Sequence, residues 1–218
     1  AGEGRFGRHI EARQKVLAMQ TGKGKTFACI KHISDKRYLP LVVVHRKSRI
    51  KGWIGEFSSY TNVNESDCLI IEGKDQLVRA IKKKKAGDIN PKVVFGMHRT
   101  FANLLMDETG EGTKLVKEFI AIMGFGAKLI DEAHLEQKAT FHLDAVTNVY
   151  ETIYITATPK RTDRADDKIF GYMLPMKSCM YGIDEREGEA PFVDVAMVQI
   201  NSKPDPEWII KTSSSGRG

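Results

Sequence analysis

An α/β fold, with a mostly parallel sheet and helices on both faces, is the architecture that this 218-residue sequence predicts. Three observations carry the prediction. Leu41-Val42-Val43-Val44 is a continuous apolar, largely β-branched run, the pattern of a strand buried on both faces. Similar runs alternate along the chain with segments whose apolar residues recur at helical spacing, and such alternation implies parallel strands joined by right-handed crossovers. A glycine-containing string also follows the first apolar run directly, where a strand-to-helix turn belongs.

Taken in order, residues 1–14, with Gly2, Gly4 and Gly7, read as a flexible or truncated lead-in. Lys15 to Met19 is the first strand, and Thr26 to Ser34 a helix with Phe27, Ile30 and Ile33 at helical spacing. The run at 41–44 leads into a helix whose inward face is Ile50, Trp53, Ile54 and Phe57, at i, i+3, i+4 and i+7. This spacing assigns Trp53 to core packing, while Tyr60 is left open as a stacking residue. Cys68 to Ile71 and Val93 to Met97 are two further strands, each followed by a helix. Lys82 to Lys85 ends the first of these helices, where four cations complement the helix dipole as a solvated face. Asp107 to Thr113 reads as a polar loop. Ala127 to Ile130 and Thr152 to Ile155 are the next strands, Gly182 to Ala190 a second polar loop, and Phe192 to Ile200 a last alternating strand. No internal repeat is found.

Three strings at strand ends carry chemistry. Met19-Gln20-Thr21-Gly22-Lys23-Gly24-Lys25-Thr26 has the glycines that let backbone amides turn inward onto phosphate oxygens, with a helix N-terminus behind them. Lys25 is suited to the β- and γ-phosphates, and the Thr26 hydroxyl to Mg²⁺. Lys23 either adds charge near the nucleotide or faces solvent. Asp131-Glu132-Ala133-His134 follows an apolar run, so Asp131 is placed to hold Mg²⁺ and Glu132 to orient or deprotonate an attacking water. Thr156-Ala157-Thr158 ends the following strand.

These strings resemble motifs I, II and III of the superfamily 2 helicases and translocases, in the first RecA-like P-loop domain. Met19 stands where that family usually has alanine. The continuation Pro159 to Arg164 is similar to the branch of restriction-enzyme motors and phage recombination helicases, and Trp53-Ile54-Gly55-Glu56-Phe57 resembles motif Ia of Swi/Snf-type duplex translocases. The resemblance implies a RecA-like ATP-binding domain over 15–190 and, at 191–218, a strand and linker towards a second RecA-like domain. It implies ATP and Mg²⁺ as cofactors, with Gln20, Thr21, Gly22, Lys23, Gly24, Lys25 and Thr26 around the nucleotide. Thr26 and Asp131 would hold the metal, and Lys25 and Glu132 would act in hydrolysis. His134, Thr156 and Thr158 would couple hydrolysis to movement. Motifs Ia and Ib leave from strand ends, which makes His45, Arg46, His98 and Arg99 nucleic-acid contacts, the two arginines being better suited to phosphate. Gln14 lies too close to the first strand to read adenine.

The implied activity is a DNA helicase motor. Its rivals are a duplex translocase without strand separation, an RNA helicase and an idle nucleotide-binding platform. DNA, single-stranded, duplex or branched, is the implied partner. A net charge of +6 and a pI near 9.1 agree with an anionic partner without identifying one. No apolar run approaches the length of a membrane span, and no signal-peptide pattern opens the chain. Cys29, Cys68 and Cys179 are far apart and read as reduced and structural, which suits the cytoplasm, as nucleoid or infected host cell. His9, His32 and His142 have no metal-ligand spacing. Because the resemblance places the arginine finger on the second domain, the chain alone is expected to turn over ATP poorly.

Overall fold

Strands and helices alternate as the apolar pattern requires, in a computed structural model that describes residues 14–19, 22–135, 137–157 and 180–182. The order is β1 (Gln14–Ala18), α1 (Lys25–Asp35), β2 (Pro40–Val44), α2 (Lys47–Tyr60), β3 (Cys68–Ile71), α3 (Lys74–Ala86), β4 (Val93–Met97), α4 (His98–Leu105), α5 (Glu111–Met123), β5 (Ala127–Ile130), α6 (Gln137–Val146), β6 (Glu151–Thr156) and β7 (Met180–Gly182). The strands form one sheet in the order β3-β4-β2-β5-β6-β1-β7. Every pairing is parallel. All strands therefore end on the same side of the molecule.

The alternation of side chains along β2 divides the core. Val42 and Val44 face one side with Cys29, Ile30 and Ile33 of α1 and Ile50, Trp53 and Phe57 of α2. Leu41 and Val43 face the other, packed with Leu77, Phe101, Phe119 and Leu143 from α3, α4, α5 and α6. Each such aliphatic side chain contributes roughly 1.5–3 kcal/mol on burial. Residues 41–44 are wholly buried, which is why their pattern is a run and not an alternation.

Two polar clusters sit inside this frame. Glu151, at the start of β6, accepts a hydrogen bond from His32 of α1 at 2.8 Å and pairs with Lys15 of β1. Burial, with Lys15 second, pushes the His32 imidazole down to about 4. The ring is therefore neutral, and its link to Glu151 is a hydrogen bond and not an ion pair. Lys128 of β5 pairs with Asp144 of α6, which also accepts the hydroxyl of Tyr154 on β6.

Two sequence readings need correction. The polar loop expected to run to Thr113 ends earlier, because α5 begins at Glu111: Asp107 accepts hydrogen bonds from Thr109 and from the Gly112 amide at 3.2 Å and so caps the helix start. Gly112 is needed there, since a β-carbon would lie 2.0 Å from the Leu104 carbonyl oxygen. Gly182, read as the start of a loop, ends β7. The Lys82–Lys85 run behaves as expected of a solvated helix end, with Lys85 ion-paired to Glu118 at 2.6 Å and Lys84 donating to Asn90. The lead-in at 1–13, the reading at 183–190 and the segment 191–218 lie outside the described residues.

Candidate nucleotide site

Sheet order decides what meets at the strand ends. β1, β6 and β5 are neighbours, with Ala18 opposite Thr156 and Ile130 opposite Tyr154. The glycine loop, Thr156 and the Asp131-Glu132 pair are thereby brought side by side. The loop is tied to β6 by the Met19 amide, which donates to the Thr156 carbonyl at 3.1 Å.

Gly22 and Gly24 have φ of 80° and 83°, the left-handed region in which a β-carbon is strained. No atom lies within 4 Å of where either β-carbon would be. Backbone conformation, not crowding, thus requires glycine. Gly24 is the N-cap of α1 and gives it no side-chain cap, so the first amides of α1 point out of the helix end with its positive dipole, as an anion needs. Lys25 reaches back to the Met19 carbonyl at 2.8 Å. Burial lowers its pKa, while Glu132 and then Asp131 oppose the shift, which places both carboxylates in its electrostatic range. Behind the loop, Cys29 is fully buried and its thiol pKa is raised by burial and by Asp131. It is inert packing.

Asp131 continues β5 by one residue, its amide bonding the Val43 carbonyl at 2.9 Å. Glu132 then turns left-handed, with φ of 49°. A non-glycine residue in that region is uncommon and strained, and here the turn aims Glu132 away from the line of the strand. His134 Nδ1 lies 2.9 Å from Thr156 Oγ1 and 3.4 Å from Glu132 Oε2. Glu132, His134 and Thr156 therefore form one chain of contacts from motif II to motif III.

Two residues of α2 join the site, Trp53, which the periodicity assigned to core packing, and Arg49. Trp53 is packed in the core at 2% exposure, as its spacing predicts, yet its indole N–H donates to Asp131 Oδ2 at 3.1 Å. Arg49 Nε donates to the same oxygen at 3.2 Å. A signal for the first was available: a buried indole N–H needs an acceptor, and Asp131 at a strand end is a buried carboxylate.

Of the expected nucleic-acid contacts, Arg46 and Arg99 are exposed and His45 is half-buried. His98 differs. At 3% exposure it is turned inward, hydrogen-bonded to the Asp131 backbone, and burial followed by repulsion from His45 pushes its pKa down to about 4. α4 starts at that residue without an intervening loop, and the ring is buried where its place after a strand suggested exposure. Arg99 instead lines an open cleft of about 680 Å³ with Lys47 and Lys74. Tyr60, 52% exposed, stacks edge-on against Phe27 at 4.8 Å. Gln20, Thr21 and Thr158 lie outside the described residues.

The family model described as "Type III restriction enzyme, res subunit" matches residues 7–161, which span β1 to β6 and all three strings. The chain belongs to this family. No curated protein matches it by sequence. Among solved structures, this chain is similar to the Hef helicase domain of Pyrococcus furiosus, with 15% identity, a TM-score of 0.58 and coverage of 84% of this chain and 37% of that one. It is also similar to the UvsW helicase of bacteriophage T4, with 14% identity, a TM-score of 0.53 and coverage of 83% and 58%. The type ISP restriction-modification enzyme LlaGI, solved with a DNA substrate mimic, matches with 13% identity, a TM-score of 0.51 and coverage of 76% and 16%. The chain thus has the first RecA-like domain fold of superfamily 2 helicases, and it spans less than two thirds of each of these proteins.

Proposed function

We propose that this domain binds ATP with Mg²⁺ and hydrolyses it as half of a nucleic-acid motor acting on DNA. The observation that carries the reading is the convergence of Lys25, Asp131 and Glu132 at neighbouring strand ends around a left-handed glycine loop. Thr26 and Asp131 supply a hydroxyl and a carboxylate oxygen, which suit a hard cation completed by phosphates and water. Among the described residues no three His, Cys, Asp or Glu side chains form a metal cage, and such a site needs none. When bound, magnesium neutralises charge on the β- and γ-phosphates.

Each side chain then has one task. Lys25 leaves the Met19 carbonyl for the phosphates, and the α1 amides hold their oxygens. Glu132 accepts a proton from, or orients, the attacking water. His134 and Thr156 relay the state of Glu132 to β6. By resemblance, Gln20, Thr21 and Lys23 belong to the nucleotide-binding set and Thr158 to the coupling set. A second RecA-like domain supplies the opposing face of the cleft and an arginine finger. Arg46 and Arg99, with Lys47 and Lys74 around the 680 Å³ cleft, grip the nucleic-acid backbone without reading sequence, and His45 lies beside them. Duplex translocation without strand separation is the second reading, favoured by the Trp53 to Phe57 string.

Lys25→Ala tests the nucleotide site. The variant is expected to stay folded and to lose ATP·Mg binding in equilibrium titrations. Parental affinity would mean that this loop is not the triphosphate site.

A further inference from the structure

Asp131 accepts from two side chains, and these neighbours are unequal. Its side chain is only 4% exposed, and Oδ2 accepts from both Trp53 and Arg49. Residues 49 and 53 lie one turn apart on α2, so both donors approach from one helix face. Trp53 is a neutral donor fixed in the core, its ring 6.2 Å from that of Phe57. Arg49 carries a full charge on a side chain 52% exposed.

We propose that these are opposed positioning residues of the metal site: Trp53 orients the Asp131 carboxylate towards the metal, and Arg49 competes with the metal for it. The proposal rests on the reading of Asp131 as the magnesium carboxylate. A divalent cation and a guanidinium repel each other when both approach one carboxylate, whereas a neutral indole N–H does not. Arg49 has solvent to swing into, and Trp53 has none. Metal binding is thereby linked to the side-chain position of Arg49, in the first turn of α2, where Arg46 and Lys47 stand. By thermodynamic reciprocity, an anion that draws Arg49 away favours the metal.

The test is a Mg²⁺ titration at a saturating concentration of a non-hydrolysable ATP analogue. Trp53 emission is followed in a Trp208→Phe background, with a fluorescent analogue as a second reporter. In the parent, Trp53 emission is expected to change as Mg²⁺ is added. Arg49→Ala should lower the half-saturating Mg²⁺ concentration about threefold or more, and Arg49→Lys, which keeps the charge, should return it towards the parent. Trp53→Phe, read by the fluorescent analogue, should raise it about tenfold, the lower range for losing an outer hydrogen bond to a metal ligand. Thermal melting checks that the Trp53 variant is folded, and the surface Arg49 variant tests the proposal even if it is not. An unchanged midpoint in Arg49→Ala overturns the proposal while Asp131→Asn still shifts it. If Asp131→Asn leaves the midpoint unchanged, the magnesium reading itself is wrong.

Discussion

Asp144→Ala is expected to be among the most destabilising single substitutions in the domain. Asp144 lies on α6, the helix that follows the Asp131–His134 turn, and it accepts from two donors on different strands. Lys128 of β5, with a side chain 1% exposed, is ion-paired to it, and the Tyr154 hydroxyl of β6 donates to it. Lys128 also donates to Thr147 at 2.7 Å, which bonds in turn to the Leu143 carbonyl. Burial lowers the Lys128 pKa, with Asp144 the main opposing influence, and raises that of Tyr154. Removing the carboxylate leaves a buried ammonium with one neutral acceptor and strands the phenol, a loss of about 3–5 kcal/mol. The double variant Lys128→Met with Asp144→Asn removes both charges and keeps an acceptor for Tyr154, so it should return to within about 1.5 kcal/mol of the parent. Urea unfolding measures this. With a slope of roughly 2 kcal/mol/M the single variant should shift the midpoint by about 2 M. A cost below about 1 kcal/mol for Asp144→Ala, or a double variant no more stable than the single, would refute the clamp.

Glu132→Gln keeps the size and hydrogen bonding of the side chain at its left-handed turn, so ATP binding should persist in the complete motor while hydrolysis falls by about two to four orders of magnitude. Single-turnover hydrolysis beside equilibrium binding checks the split. Stability should also fall on acidification. His98 has a folded pKa of about 4 against an ordinary 6.5, so the unfolded chain binds the extra proton. The stabilisation is complete above pH 6.5 and is lost as pH falls towards 4, by about 3 kcal/mol in all. His32 adds a shift of the same sign. Urea midpoints at pH 7 and 4.5 should converge in a His98→Asn, His32→Asn variant once normalised to pH 7, and an undiminished pH slope in that variant would contradict the assignment. Replacing Arg46 and Arg99 together by Ala should weaken DNA binding alike for unrelated sequences and flatten its salt dependence. A loss confined to one sequence would be inconsistent with backbone contacts.

The sheet was legible because burial on both faces leaves an unmistakable pattern. Leu41 to Val44 can be little else than a central strand, and the structure puts it between β4 and β5. The start of α5 was misread because Asp107, Thr109 and Gly110 are all turn formers, and the capping carboxylate that lets a helix begin two residues before Thr113 is a three-dimensional fact. The glycine loop and the Asp-Glu pair were legible as local chemistry. The contacts that position them were not. Arg49 and Asp131 are far apart in sequence, and although a buried indole N–H must find an acceptor, the helical face of α2 does not say that the acceptor is Asp131. His98 is buried where exposure was expected. Its place after a strand suggests exposure, but α4 starts without a loop and folds the ring inward.

The contacts of Trp53, Arg49 and His98 share a cause that bears on how the domain works. Asp131 sits where β5 emerges between β2 and β6, so it is reachable from the helix after β2 and from the helix after β4. α2 reaches it through Trp53 and Arg49, and α4 through the His98 ring. Those two helices begin at the strand ends that carry Arg46 and Arg99. The residue proposed to hold the nucleotide's metal is therefore hydrogen-bonded to both elements proposed to meet the nucleic acid, to α2 through its carboxylate and to α4 through its backbone. Coupling in such an arrangement needs no long pathway. The indole and the guanidinium act on the carboxylate of this residue and the imidazole on its backbone, so whatever shifts the carboxylate acts directly on α2 and reaches α4 only through the main chain. A residue with that many obligations has few tolerated replacements. Asp131→Glu, which keeps the charge but lengthens the side chain by one methylene in a buried site, should disturb both functions more than its chemistry alone suggests.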